Sequence, residues 1–334
     1  KKRRAPYFSP NARARAASRE YAATYSAPDA SGSASRNRSQ IPLVPMVANL
    51  TVSIASPFVV AGTILHNAFL VRPPAELVWF SADEKMGVDV YSFDSRIRYS
   101  ECDETGRLSP LSMMNYLQDC STFQSQELGI GVEGLTGQGL AWVLASWTIE
   151  VDELPPFGTD VTVSTWCYAM TRAHALRCFQ IADAHGRPIV RADSQWFVFD
   201  VERRRATRVP ESQLVYVGDE RRLDMAPLAR RIRVEGPGRA APEHVVAHAD
   251  LDTNHHVNNA RYVRIALDAL EALGFEAPAV PLTLQVQYRS MALLGDVVRP
   301  RVHPCAGGWD VDLADAAGST YAVVRIQARQ EGQQ

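Results

Sequence analysis

Between Asp250 and Tyr262 the chain places two carboxylates, two imidazoles and three side-chain amides within thirteen residues: Asp250-Leu251-Asp252-Thr253-Asn254-His255-His256-Val257-Asn258-Asn259-Ala260-Arg261-Tyr262. An apolar run follows at helical spacing, carried by Val263, Ile265, Ala266, Leu267, Leu270 and Leu273, with Gly274 as its stop. Asn258 is a good N-cap, which makes the polar cluster a loop running into a helix N-terminus. The first turn of a helix has unpaired N–H groups and a partial positive charge, so it suits an oxygen that becomes negative during a reaction. Beside a His and an Asp, that arrangement holds the parts for acyl transfer or acyl hydrolysis. The plainer alternative is a turn with a cap and a structural histidine.

The elements that must position this loop recur. Ser109 at an N-cap position with Pro110 behind it predicts a helix carrying Leu111, Met114, Leu117 and Cys120, ended by Leu128-Gly129. A strand is expected at 91–99 before it. After it come strands at 142–151, 159–170, 173–182 and 191–201, with turns at Pro155-Pro156-Phe157-Gly158 and Asp183-Ala184-His185-Gly186. The second half repeats the plan: Asp252 corresponds to Asp103, Val257 to Leu108, Asn258 to Ser109, Tyr262 to Met113 and Asp268 to Asp119. Strands at 282–289, 309–313 and 321–326 follow, the last two flanking a turn at Ala314-Asp315-Ala316-Ala317-Gly318. Two copies of one unit give an α+β fold in which each copy is a curved antiparallel sheet with a long central helix: a tandem, or double, hotdog. Only the second copy carries the polar cluster. His256 corresponds to Arg107, His255 to Gly106 and Asn254 to Thr105, which argues against a cluster needed only for folding.

Composition bounds the rest. The length, 334 residues, allows two domains, and the net charge of −2 implies no bulk attraction to nucleic acid. Cys102, Cys120, Cys167, Cys178 and Cys305 are scattered and odd in number, which suggests neither a disulfide framework nor a zinc site and fits a reducing cytoplasm. The expected organisation is an extension over 1–85, a first unit over 86–210, an Arg-rich linker over 211–235 and a second unit over 236–330. Residues 1–40 are rich in Arg, Ala and Ser, and 41–71 carry no charge, although Pro42, Pro45 and Pro57 interrupt them. Two expectations stand for this extension: translated upstream sequence with Met86 as the start, or a targeting or membrane-anchoring segment.

Residues from about 90 to 328 resemble the acyl-ACP thioesterases, the plant plastid enzymes and their bacterial relatives. The resemblance rests on the 250–262 stretch, on Thr165-Trp166, and on Ser194-Gln195-Trp196-Phe197-Val198-Phe199-Asp200 with Arg203-Arg204-Arg205 and Val209-Pro210 after it. It implies hydrolysis of the thioester between a fatty acyl chain and acyl carrier protein, which ends fatty acid synthesis. No metal or organic cofactor is implied. The family's Asp-x-Asn-x-His pattern falls on Asp252, Asn254 and His256, and the helix start places Asn258, Asn259 and Ala260 as polarisers of the carbonyl. His256 is the best general base, with Asp252 orienting it or acting as the base itself. The first hotdog is expected to hold the acyl chain, with Met113, Met114, Leu117, Trp142 and Trp147 as candidate walls. An acidic carrier calls for a basic dock: Arg203, Arg204, Arg205 and Arg208, or a second cluster of Arg221, Arg222, Arg230, Arg231 and Arg233. The family also places a Glu, with a Cys beside it, after a Tyr-x-x strand motif. Here Tyr288-Arg289-Ser290 is followed by Met291 and Ala292. Rival readings are an acyl-CoA thioesterase, a non-catalytic acyl-binding hotdog, and a hydratase or dehydratase. A homodimer is a further expectation.

Overall fold

The computed structural model describes residues 90–228 and 231–329. The expectations for 1–85, and Arg230 of the second basic cluster, lie outside the described residues. The first unit runs β1 (Tyr91–Arg96), α1 (Pro110–Glu127), α2 (Val132–Thr136), β2 (Leu140–Val151), β3 (Asp160–Met170), β4 (Ala175–Asp183), β5 (Pro188–Asp200) and β6 (Arg205–Thr207). The second runs β7 (Arg239–Ala240), β8 (His244–Val245), α3 (Asn259–Ala272), β9 (Leu282–Tyr288), β10 (Val297–Cys305), β11 (Gly308–Ala314) and β12 (Thr320–Ala328).

All the named strands join one antiparallel sheet in the order β1-β3-β4-β5-β2-β9-β12-β11-β10-β7, with β6 on β5 and β8 on β10. The two units meet where β2 pairs β9, Ser146 opposite Gln287 and Val151 opposite Leu282. Read outward from that seam, β2-β5-β4-β3-β1 mirrors β9-β12-β11-β10-β7, so the fold is two hotdogs sharing one sheet. Both long helices lie on the same side of it. Alternate strand residues such as Leu284, Val286 and Tyr288 of β9 point to that side and form one core with Met113, Met114 and Leu117 of α1 and Val263, Ala266 and Leu270 of α3.

The helices begin where their caps require. Ser109 Oγ accepts the Ser112 N–H at 3.1 Å, and Asn258 Oδ1 accepts the Ala260 N–H at 2.9 Å. Three features depart from the sequence expectations. The first strand stops at Arg96 rather than 99, because Glu101 Oε2 accepts the Arg98 N–H at 2.8 Å and winds Tyr99–Glu101 into a 3-10 turn. Strand β10 was not among the expected strands; it accommodates Pro300, whose carbonyl accepts the Ala241 N–H at 3.0 Å. Finally, the 211–235 segment is not a solvated linker throughout. It opens with a 3-10 helix, Glu211–Tyr216, whose Gln213 and Tyr216 are buried.

Further along that segment, Arg222 Nε donates to Asp193 Oδ2 at 2.7 Å, and the carboxylate is 0% exposed. Tyr168 Oη adds a bond to Asp193, and Trp166 Nε1 donates to the Arg221 carbonyl. Burial still pushes the Asp193 carboxyl above the usual carboxylate range. Arg222 therefore straps the segment to the sheet. Its replacement by Ala leaves a buried carboxylate without its cation and should cost about 3 kcal/mol, read as a lower urea midpoint. Asp193→Asn in the same background should recover part of the loss. An unchanged midpoint in Arg222→Ala would show the strap is held by other contacts.

Candidate active site

The 250–262 stretch folds into a closed loop between a bridge at Leu251–Val257 and the start of α3. Asp252 organises it. Its Oδ1 accepts the N–H of Asn254 at 2.8 Å and that of His256 at 3.3 Å, while its own N–H donates to the His256 carbonyl at 2.8 Å. Upstream, the Asp250 carboxylate accepts the Ala247 N–H at 2.9 Å and His244 Nε2 at 2.8 Å, and its carbonyl accepts the Asn258 N–H at 2.8 Å.

The same turn occurs four times among the described residues. Asp103, Asp183 and Asp315 each take the N–H groups two and four residues ahead on one carboxylate oxygen, as Asp252 does. In each, the residue three ahead has positive φ: Gly106 at 75°, Gly186 at 79°, Gly318 at 83° and His255 at 61°. Two conclusions follow. Asp252 has a structural task shared with turns far from any candidate chemistry, so the difference between the two copies singles out Asn254, His255 and His256, not Asp252. And His255 holds a left-handed conformation that glycine fills in the other three turns. His255→Gly should raise stability by about 0.5–1 kcal/mol, the left-handed strain relieved less the entropy glycine adds to the unfolded chain. A fall in the denaturation midpoint would show that the ring's contacts outweigh the strain.

His256 is half-buried, and burial lowers its pKa below the ordinary 6.5; the nearby Asp252 charge opposes this and His255 adds to it. Its imidazole is therefore neutral at neutral pH and able to take a proton. No ring hydrogen bond joins it to Asp252 among the described residues; the carboxylate holds His256 through its backbone N–H. Asn254 and His255 are exposed beside it.

Three N–H groups were expected to face a carbonyl oxygen, and the geometry narrows them to one. The Asn258 N–H is taken by the Asp250 carbonyl and the Ala260 N–H by Asn258 Oδ1. Among the described residues the Asn259 N–H has no acceptor. Asn259 is pinned from two directions. Tyr288 Oη donates to its carbonyl at 2.9 Å, and its Nδ2 donates to Gln118 Oε1 at 3.2 Å. Gln118 Nε2 in turn donates to Asn258 Oδ1 at 3.3 Å. Sequence reasoning did not name Gln118, and it named Tyr288 only as the start of the Tyr-x-x motif, with no role at the site. The segment with Met291 and Ala292 lies against the same loop: the Ala292 carbonyl accepts the Val257 N–H at 3.0 Å, and its N–H donates to Tyr262 Oη at 2.9 Å. The position where the resemblance expects a Glu is thus beside the loop, filled here by Met291.

The other expected residues fall elsewhere. Met113, Met114, Leu117 and Trp147 are buried between α1 and the sheet, Trp147 packed on Phe179 with ring centroids 4.8 Å apart. Trp142 is half-buried and donates to Gln213 Oε1 at 3.0 Å. Arg203, Arg204, Arg205 and Arg208 are exposed around the turn from β5 to β6, with Arg203 paired to Asp200 at 2.9 Å. In the second basic cluster Arg222 is committed to Asp193, which removes it from any dock. Among the described residues, no group of three or more His, Cys, Asp or Glu is placed to hold a metal ion, and no helix is long and apolar enough to cross a membrane.

Comparison with known proteins places this geometry. The family model for the acyl-ACP thioesterase N-terminal domain matches residues 88–215, and that for the C-terminal domain matches 240–329. A chloroplastic oleoyl-acyl carrier protein thioesterase 2 of Arabidopsis thaliana is 28% identical over 176 residues, 48% of this chain and 48% of that protein. A chloroplastic acyl-(acyl-carrier-protein) hydrolase of Cuphea viscosissima is 26% identical over 216 residues, 59% of this chain and 50% of that protein. The chain thus spans about half the length of these curated relatives. The solved 12:0-ACP thioesterase of Umbellularia californica shares the fold, with a TM-score of 0.63 at 21% identity over 71% of this chain and 96% of that one. Both halves of the matched sequence, and the double hotdog they build, make this chain a member of the acyl-ACP thioesterase family.

Proposed function

We propose that the protein hydrolyses fatty acyl thioesters of acyl carrier protein to the free fatty acid and the holo-carrier. The observation that carries this reading is a half-buried His256 in the same loop that leads into a helix N-terminus whose Asn259 N–H has no acceptor among the described residues; burial lowers the His256 pKa. A base and an oxyanion donor in one loop are what thioester hydrolysis requires, because thiolate is a good leaving group and needs little acid assistance.

In this reading His256 takes a proton from water as the water oxygen bonds to the thioester carbon. The carbonyl electron pair moves to oxygen, where the Asn259 N–H meets the charge. The pair then returns, the C–S bond breaks, and the thiolate leaves with that bond's electrons. The proton held on His256 goes to the thiolate, and the acid ionises. Asp252 keeps the loop closed and stabilises the imidazolium by its charge, and Asn254 orients the water or the acyl oxygen. The acyl chain lies in the first unit against Met113, Met114, Leu117, Trp142 and Trp147, and the carrier docks on Arg203, Arg204, Arg205 and Arg208, which are exposed on the turn into β6 and at its two ends.

The test is thiol release from acyl-ACP and acyl-CoA of equal chain length. Faster turnover of the carrier-bound thioester supports the reading. Turnover of acyl-CoA alone would replace the carrier assignment and leave the chemistry in place.

A further inference from the structure

We infer that Gln118, from the first unit, is a positioning residue for the reaction centre in the second. The inference rests on the thioesterase reading above for its consequence, but not for its geometry.

The two units are related by the correspondence of Met113 with Tyr262 and of Asp119 with Asp268, which brackets Gln118 against Leu267. At the corresponding place in α3, then, a hydrocarbon serves: Leu267 packs against the main core. The repeat thus accommodates a hydrocarbon at this point. Gln118 nevertheless spends both ends of its amide on the start of α3. Its oxygen accepts from Asn259 Nδ2 at 3.2 Å and its nitrogen donates to Asn258 Oδ1 at 3.3 Å, the atom that also caps the Ala260 N–H at 2.9 Å. These contacts join residues 140 and 141 positions apart in the chain.

The consequence is directional. Asn258 fixes where the helix starts, and Asn259 holds the one N–H of the first turn without an acceptor. Tyr288 fixes the Asn259 carbonyl from the sheet side. Gln118 fixes its side chain from α1, so Asn259, the residue carrying the free donor, is held between two supports from different elements. A donor aimed at a developing oxyanion works only if its direction is set before the reaction. The site is then built from both hotdogs: one supplies the base and the donor, the other the amide that orients the donor.

The experiment compares Gln118→Leu, which installs the residue found at the corresponding place, with Gln118→Glu, which keeps an acceptor for Asn259 but loses the donor to Asn258. In Gln118→Leu the denaturation midpoint and KM for acyl-ACP should stay near wild type while kcat falls about 10- to 100-fold, with Gln118→Glu between the two. Adding Asn259→Ala to Gln118→Leu should cost less than the sum of the single losses, since both break the same support. A kcat within about twofold of wild type in Gln118→Leu, fully additive losses, or a loss confined to KM would overturn the inference. Should the wild-type chain release no thiol, the hydrolase reading fails, and the side-chain amide NMR signals of Asn259 decide the positioning claim alone. A clear shift of those signals in Gln118→Leu supports it; unmoved signals overturn it.

Discussion

His256→Ala should lower kcat for acyl-ACP by about 100- to 10,000-fold, the range a positioned general base contributes. The fold should survive, because His256 is only half-buried and the loop is closed by its backbone rather than by its ring. The pH profile gives the sharper test. A base works when unprotonated, so the rate falls as pH drops through its pKa. Burial lowers that pKa below 6.5, so the acid limb of kcat/KM should lie below pH 6.5. In His256→Ala the residual rate should lose that limb. A limb that persists unchanged would assign the base to another group.

Asp252 should separate two roles that one substitution would confuse. Asp252→Ala removes the acceptor of two backbone N–H groups and should cost about 1–3 kcal/mol of stability, together with at least a 100-fold loss of kcat as the loop opens. Asp252→Asn keeps the oxygen that closes the turn. It should restore most of the stability and bring kcat back to within about tenfold of wild type, the remainder being the lost charge beside the imidazolium. Asp103→Ala, which opens the corresponding turn of the first unit, should cost similar stability with kcat retained. If Asp252→Asn is as stable as wild type yet as inactive as Asp252→Ala, the carboxylate is itself the base, and the loop-closing account of its importance is wrong.

Much of this site was legible from residue types and spacing, and the parts that were not share a cause. Ser109-Pro110 and Asn258 announced both helix starts, because capping is a local bargain between one side chain and the next turn. The recurrence of Asp103 at Asp252 exposed the tandem plan. The same recurrence also weakened the reading of Asp252 as a chemical group, once the turns at Asp183 and Asp315 showed what that carboxylate does. Gln118 was hidden because its partners lie in the other unit. Arg222 read as one arginine of a basic cluster because Asp193, the acid it neutralises, lies 29 residues earlier in β5. Strand β10 was masked by two prolines; Pro300 is tolerated because it offers its carbonyl to the Ala241 N–H across the sheet. In each case the missing information was a long-range contact, which no local window contains.

Asn259 is the one of the three candidate oxyanion donors whose N–H has no acceptor among the described residues. Spacing alone put Asn258, Asn259 and Ala260 on equal terms; the fold gives the first and third to the Asp250 carbonyl and the Asn258 cap. Met291 stands beside the same loop where the family pattern places a carboxylate, so in the proposed reading more of the proton transfer falls to His256.

The most direct test of the account is free-thiol release from acyl-ACPs of several chain lengths by the wild-type chain beside His256→Ala. The account predicts turnover by the wild type that collapses in the variant while acyl-ACP still binds. Binding without thiol release by the wild type would contradict it and make the protein an acyl-binding hotdog; equal release by both proteins would take the chemistry away from His256.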